Sequence, residues 1–333
     1  MTSPAVDALA ERLKHDTYTL CAPEGRMVGT PGHATAEQFV VRRFEEIGLI
    51  PYGGDSYALP YQHRGDDFTN FVGVIPGRNR DAAPILIGAH YDSVIAAPCA
   101  DDNGAAVAIC LALAEMAEKA GGFERDLIVA IFDAEEPPYF QTHAMGSIRF
   151  GEDELDERGV HFAMIYDLVG HDIPMPLFRD LVFVTGSESH PELPGILEST
   201  PLPKKLRMIA TLNRYVGDMS DHGVFREKGV PYLFFSCGRW QHYHMPTDTP
   251  DRLNYAKMAR LALLSSGILA AVDQAPFTPA AWTGDDSLEF ETKTFRQATG
   301  ALYPWLCRWA GVKDLETRHS MDRMVEKLLS LGL

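Results

Sequence analysis

Residues 85–136 read ILIGAHYDSVIAAPCADDNGAAVAICLALAEMAEKAGGFERDLIVAIFDAEE. Ile85–Ala89 and Leu127–Phe132 are short apolar runs of strand type, and Ala105–Lys119 between them carries a helical pattern. Outward from this unit, Phe71–Ile75, Phe162–Tyr166, Leu181–Val184 and Tyr232–Phe235 read as further strands, and Tyr255–Val272 as a helix. Such alternation predicts an α/β fold: a single domain with a mostly parallel, mixed sheet sandwiched between helices. No internal repeat or low-complexity tract interrupts it.

Polar residues cluster where these runs end. His90-Tyr-Asp92 follows one strand, Asp133-Ala-Glu135-Glu136 another and Asp167 a third. Asp101-Asp102-Asn-Gly opens the helix, and Tyr243-His244 comes later. In open α/β sheets ligands collect outside the carboxyl ends of the strands, so the fold itself would gather these groups. Two divalent ions roughly 3.5–4 Å apart need a bridging ligand, which a carboxylate supplies. Asp101 is the candidate bridge; His90, Glu136, Asp167 and His244 are the remaining candidate ligands. Imidazole nitrogen mixed with carboxylate oxygen suits zinc, with cobalt or manganese as substitutes. Glu135, beside a ligand, is placed to act as a base. Taken singly, each group has a plainer role. An isolated His is more often a satisfied core or loop residue, and Asp102 suits a helix N-cap. Asp221 and His222 read as supporting residues rather than ligands.

The stretches GAHYDSV (88–94), ADDNGAAVAICLALAEMA (100–117), FDAEE (132–136), MGS (145–147), YDLVG (166–170), SDHGVF (220–225), GVPYLFF (229–235) and YHMPTDTPDRLN (243–254) together resemble the M28 zinc aminopeptidases. That family also includes glutaminyl cyclases and some carboxypeptidases, and the likeness runs over about residues 25–272. The resemblance implies a zinc-exopeptidase fold and two zinc ions. One would be held by His90, Asp101 and Asp167, the other by Asp101, Glu136 and His244. It also implies Glu135 as general base, Tyr243 as oxyanion donor and Asp92 as the group that orients His90. A cis peptide is implied at Asp101-Asp102. The activity implied is hydrolysis of the N-terminal bond of a peptide or small aminoacyl substrate. The alternatives are a single-zinc glutaminyl cyclase or a non-catalytic binding relative, although such relatives typically lose ligands and every position here is filled.

Two departures stand out. Pro137-Pro-Tyr-Phe-Gln-Thr-His143 lengthens and stiffens the segment after the paired Glu, and Tyr139 and Phe140 could wall an apolar pocket. Cyclases share a long segment here, but ADDNGAA and Tyr243 favour the peptidase. His143 reads as an ordinary loop residue. Residues 1–275 make the peptidase domain, and 276–333, with Trp282, Tyr303, Trp305, Trp309 and an amphipathic Met321–Leu331 segment, a helical C-terminal extension packed on it. The extension either completes the core or serves an oligomer contact; the oligomeric state is not legible.

With 333 residues and 46% hydrophobic content the chain can bury a large core. A net charge of −16 argues against a nucleic-acid partner. The N-terminal twenty residues form an amphipathic pattern without a secretory apolar core, and no stretch reads as a membrane span. Five scattered cysteines leave no complete disulfide framework, so a cytoplasmic location is expected, with Cys99 a small apolar filler.

Overall fold

The computed structural model describes residues 4–155, 159–175, 177–277 and 287–330. Residues 278–286, which include Trp282, and 331–333, which include the last residue of the Met321–Leu331 segment, lie outside the described residues. The strands are β1 (Ile50–Pro51), β2 (Ala58–His63), β3 (Asp66–Ile75), β4 (Ile85–His90), β5 (Leu127–Phe132), β6 (Phe162–Tyr166), β7 (Leu181–Thr185), β8 (Arg207–Thr211) and β9 (Tyr232–Ser236). The first helices are α1 (Pro4–Leu20), α2 (Pro31–Ile47), α3 (Ala105–Lys119), α4 (Gly146–Asp153), α5 (Leu193–Ser199) and α6 (Asn213–Val216). They are followed by α7 (His222–Glu227), α8 (Tyr255–Gln274), α9 (Leu288–Thr299), α10 (Tyr303–Trp309) and α11 (Arg318–Leu329).

The strands form one sheet in the order β1-β3-β5-β4-β6-β9-β7-β8, with β2 paired to β3. Its centre, β5-β4-β6-β9, is parallel, while β3 on one side and β7 on the other join it antiparallel. Side-chain alternation divides the core into two layers, as a sheet covered on both faces requires. Ile85, Ile87 and Ala89 pack with α1, α2, α3 and α8, whereas Leu86, Ile128 and Phe132 pack with Phe150 of α4 and Phe225 of α7. The parallel arrangement directs the carboxyl ends of β4, β5, β6 and β9 to one edge, and the candidate site lies there.

Two expectations change. Helix α8, with 20 residues, is long and apolar enough to cross a membrane. It is instead a core helix, with Met258, Leu261, Leu264, Ile268 and Leu269 buried in the sheet-facing layer. Strands β1, β2 and β8 also have no counterpart in the sequence reading. β2 contains Pro60 and alternates weakly, and β8 is a short run with polar ends.

The C-terminal helices pack on the same body. Phe290, Phe295, Leu306, Cys307, Met321 and Met324 join the core, while Trp305 remains 55% exposed beside Trp309.

Candidate metal centre

His90 ends β4, a strand buried along its whole length. Its Nδ1 lies 3.1 Å from Asp92 Oδ1, which leaves Nε2 to face the strand edge. Asp92 also accepts from the backbone N–H groups of Glu135 and Glu136, each at 3.1 Å, so one carboxylate fixes both the ring and the turn after β5. That turn is braced from behind by Asp133, whose Oδ1 stands 2.8 Å from His33 Nε2 and whose Oδ2 accepts from Thr69 N.

Asp102, not Asp101, occupies the centre. Its Oδ1 is 3.5 Å from His90 Nε2 and its Oδ2 is 3.2 Å from His244 Nε2. Two groups of donor atoms share it, His90 with Asp102 and Asp167, and Asp102 with Glu136 and His244, each group drawn within 4.8 Å. Asp101 points the other way. Its Oδ1 accepts from Gly170 N (2.7 Å) and His171 N (2.9 Å), and its Oδ2 is 2.6 Å from His171 Nδ1. Three nitrogen donors occupy Asp101, so the position expected of it among the candidate ligands is corrected to its neighbour, which lies in both donor groups. Asp102 in turn makes no side-chain cap to the helix, and the cis peptide falls at Asp102-Asn103 rather than Asp101-Asp102. Gly170 is needed beside Asp101, because a Cβ there would stand 2.9 Å from Asp101 Oδ1.

Three residues that sequence reading passed over hold this loop. Asp248 accepts from the backbone N–H groups of Asp101 and Asp102 at 3.0–3.2 Å. Arg26, fully buried, donates to the carbonyls of Tyr91 (2.7 Å), Pro98 (2.6 Å), Cys99 (2.9 Å) and Asp102 (3.4 Å), spanning the segment between His90 and Asp102. His171 stacks on Trp240 at 4.6 Å, which ties the loop after β6 to the loop after β9. Asp248 and His171 stand within or beside quoted motifs, and their polarity in buried company was the available signal. Arg26 lies in no chemical motif.

The donor set fits divalent cations. His90 Nε2, Asp102 Oδ2, Glu136 Oε1, Asp167 Oδ1 and His244 Nε2 are buried and lack a hydrogen-bond partner among the described residues. His244 Nε2 stands 3.2 Å from both Asp102 Oδ2 and Glu136 Oε2. Donors at 2.0–2.1 Å around one tetrahedral ion are separated by about 3.3 Å, so the spacing is that of ligands rather than of hydrogen bonds. Charge points the same way. Burial pushes Glu136 up to about 7, with Asp102 adding to it. Burial likewise drives Glu135 and Asp167 well above the carboxylate range, against the pull of His90 and with neighbouring carboxylates reinforcing it. His244 is lowered by burial but raised more by Asp102 and Glu136, to about 9. Burial disfavours the charged form of these carboxylates, and a cation among them would favour it.

The remaining candidates separate. Glu135 Oε2 lies 3.7 Å from His90 Nε2, at the centre. Tyr243 stacks on His244 at 3.7 Å and lines the same cavity. Asp221 is fully buried nearby, raised to about 6 by burial, and His222 stacks on Phe234 at 4.1 Å; neither joins a ligand group. His143 is exposed and pairs with Glu152. Of the aromatic pair after the Glu residues, Phe140 lines the cavity with Pro137, whereas Tyr139 packs on Phe68. Cys99 is buried, as a filler should be.

The profile of Peptidase family M28 matches residues 70–269. The uncharacterized protein YfbL of Escherichia coli (strain K12) is 27% identical over 211 residues, 54% of this chain and 64% of that protein. The chain spans less than two thirds of the length of the curated relatives it matches. Among solved structures, a Zn-dependent exopeptidase from Parabacteroides distasonis superposes with a TM-score of 0.59 at 15% identity, over 78% of this chain and 97% of that one. A Fimbriiglobus ruber glutaminyl cyclase gives 0.62 at 19% identity, over 83% and 97%. At such identities the likeness establishes the fold.

Proposed function

The chain belongs to peptidase family M28, a membership that supports a metallopeptidase-type hydrolase, and on that premise we propose a two-zinc aminopeptidase that cleaves the N-terminal bond of short peptides. The observation that carries this reading is Asp102, whose two oxygens face two different histidines in two donor groups. His90, Asp102 and Asp167 would hold one ion, and Asp102, Glu136 and His244 the other. Bound zinc would acidify the attacking water and polarise the scissile carbonyl. Glu135 would take the water proton on its carboxylate and return it to the departing amine. Asp92 keeps His90 in the tautomer that presents Nε2. Tyr243, beside His244 on the cavity wall, would donate its hydroxyl to the developing oxyanion. The site's carboxylates would also pair with a free amino terminus. Five buried free cysteines suit a reducing compartment such as the cytoplasm, where we expect the protein to act.

A glutaminyl cyclase is the second reading, favoured by Pro137 and Phe140 at the cavity wall. Two complete donor groups favour the peptidase over a single-ion cyclase. The test is a paired assay on zinc-loaded protein, with dipeptide amides followed for release of the first residue and an N-terminal glutamine peptide followed for cyclisation. Hydrolysis abolished by chelation is expected; cyclisation without hydrolysis would replace the proposal with the second reading.

A further inference from the structure

The cavity that holds the metal ligands does not end with them. It has a volume of about 740 Å³ and continues along β7, β8 and β9 to α11. Asp102, Glu135 and His244 line one end, and Met321, Val325 and Leu328 of α11 line the other. The α11 residues are spaced i, i+4 and i+7, one stripe of a helix, and they line the cavity together with Phe183, Ile209 and Phe234 of the sheet. Such a volume takes a ligand well beyond one small side chain. At its mouth, Met219 (44%) and Leu329 (47%) are large apolar residues left exposed.

Helix α11 is held firmly enough to act as a wall. Thr317 and Ser320 form a capping box at its start. Arg318 makes two hydrogen bonds to buried Glu291 of α9, at 2.7 and 2.9 Å, and Asp322 accepts from Arg214 and Tyr215. All of α11 lies outside the residues matched to the family, 70–269.

We propose that α11 is the specificity wall of the site, and that the substrate is a short peptide carrying large apolar side chains, with leucine or phenylalanine preferred to alanine. The reaction rests on the aminopeptidase reading; the binding does not. Two substitutions fill the cavity from a half-buried helix face, Val325→Trp and Leu328→Trp, with circular dichroism and melting used to confirm the fold. Hydrolysis of Ala-Ala, Leu-Leu and Phe-Phe amides is measured on zinc-loaded protein, and binding of butyl-, hexyl- and octylamine by calorimetry. The wild type should favour Phe-Phe over Ala-Ala by roughly tenfold or more in kcat/KM, and the filled variants should lose that preference. Affinity for the amines should rise with chain length in the wild type and flatten in both variants. If no amide is cleaved yet the amine series behaves this way, the aminopeptidase reading fails and the wall stands. Equal use of Ala-Ala and Phe-Phe, a preference untouched by both fillers, or a flat amine series in the wild type would overturn the wall.

Discussion

At the ligand end of the cavity, side chains from the loops after β4, β5, β6 and β9 converge, and the backbone that carries them is fixed by N–H groups donating to Asp92 and Asp248 and by carbonyls accepting from Arg26. At the α11 end, the cavity is lined by an apolar helical stripe and apolar sheet residues, with Arg318 and Asp322 holding the helix in place. Four of the seven non-glycine residues with positive φ among the described residues lie at the first end: Ala134, Leu168 and His244 at or beside the candidate site residues, and Cys99 three residues before Asp102. Strained backbone of this kind persists only where surrounding contacts enforce it. Chemistry therefore demands exact groups in exact places at one end, while the other asks only for apolar volume. Substitutions should obey that contrast.

The largest effect is expected at Glu135. Glu135→Gln keeps shape and removes basicity, so turnover should fall by roughly 10²–10⁴-fold with bound metal unchanged. Metal content and kcat measured together check this, and loss of metal would make Glu135 a ligand instead. No substitution at Val325 or Leu328 should approach that loss on an alanine substrate.

Arg26 tests how far the rigidity at the ligand end depends on its support. Arg26→Met strands four carbonyls, and the cost in stability should be on the order of 3 kcal/mol or more. Zinc affinity should fall about 10–100-fold, as for other groups that hold ligands in place. Denaturant melts and zinc titration read both; unchanged zinc affinity would confine Arg26 to folding.

A smaller, pH-dependent effect belongs to His222, beneath the sheet and outside both ends. Burial lowers it from 6.5 to about 4. The folded value lies below the unfolded one, so the unfolded chain takes the extra proton between those limits. Stability is complete above pH 6.5 and declines as pH falls towards 4, by about 3 kcal/mol from this group. In unfolding measured across that window, His222→Gln should flatten the slope, and an unaltered slope would assign it elsewhere.

The same contrast explains what the sequence disclosed. Strands β3, β4, β5, β6, β7 and β9 and helices α3 and α8 were legible because their apolar runs are long and cleanly bounded. His90, Glu135, Glu136, Asp167 and His244 were legible because each follows an element whose end the fold must bring to one edge. Which of Asp101 and Asp102 faces that edge was not. Adjacent carboxylates of equal chemistry are told apart only by backbone direction, and here that direction sends Asp101 to His171. The α11 wall was hidden for a different reason: its residues are ordinary apolar ones, and only the packing of distant segments places them opposite the sheet.

Metal stoichiometry of three proteins, the wild type, Asp101→Asn and Asp102→Asn, tests the central claim most directly. The account predicts two zinc ions per chain in the wild type, both lost or greatly weakened in Asp102→Asn, and both retained in Asp101→Asn under saturating zinc. A single ion in the wild type, or full zinc in Asp102→Asn with loss in Asp101→Asn, would contradict it.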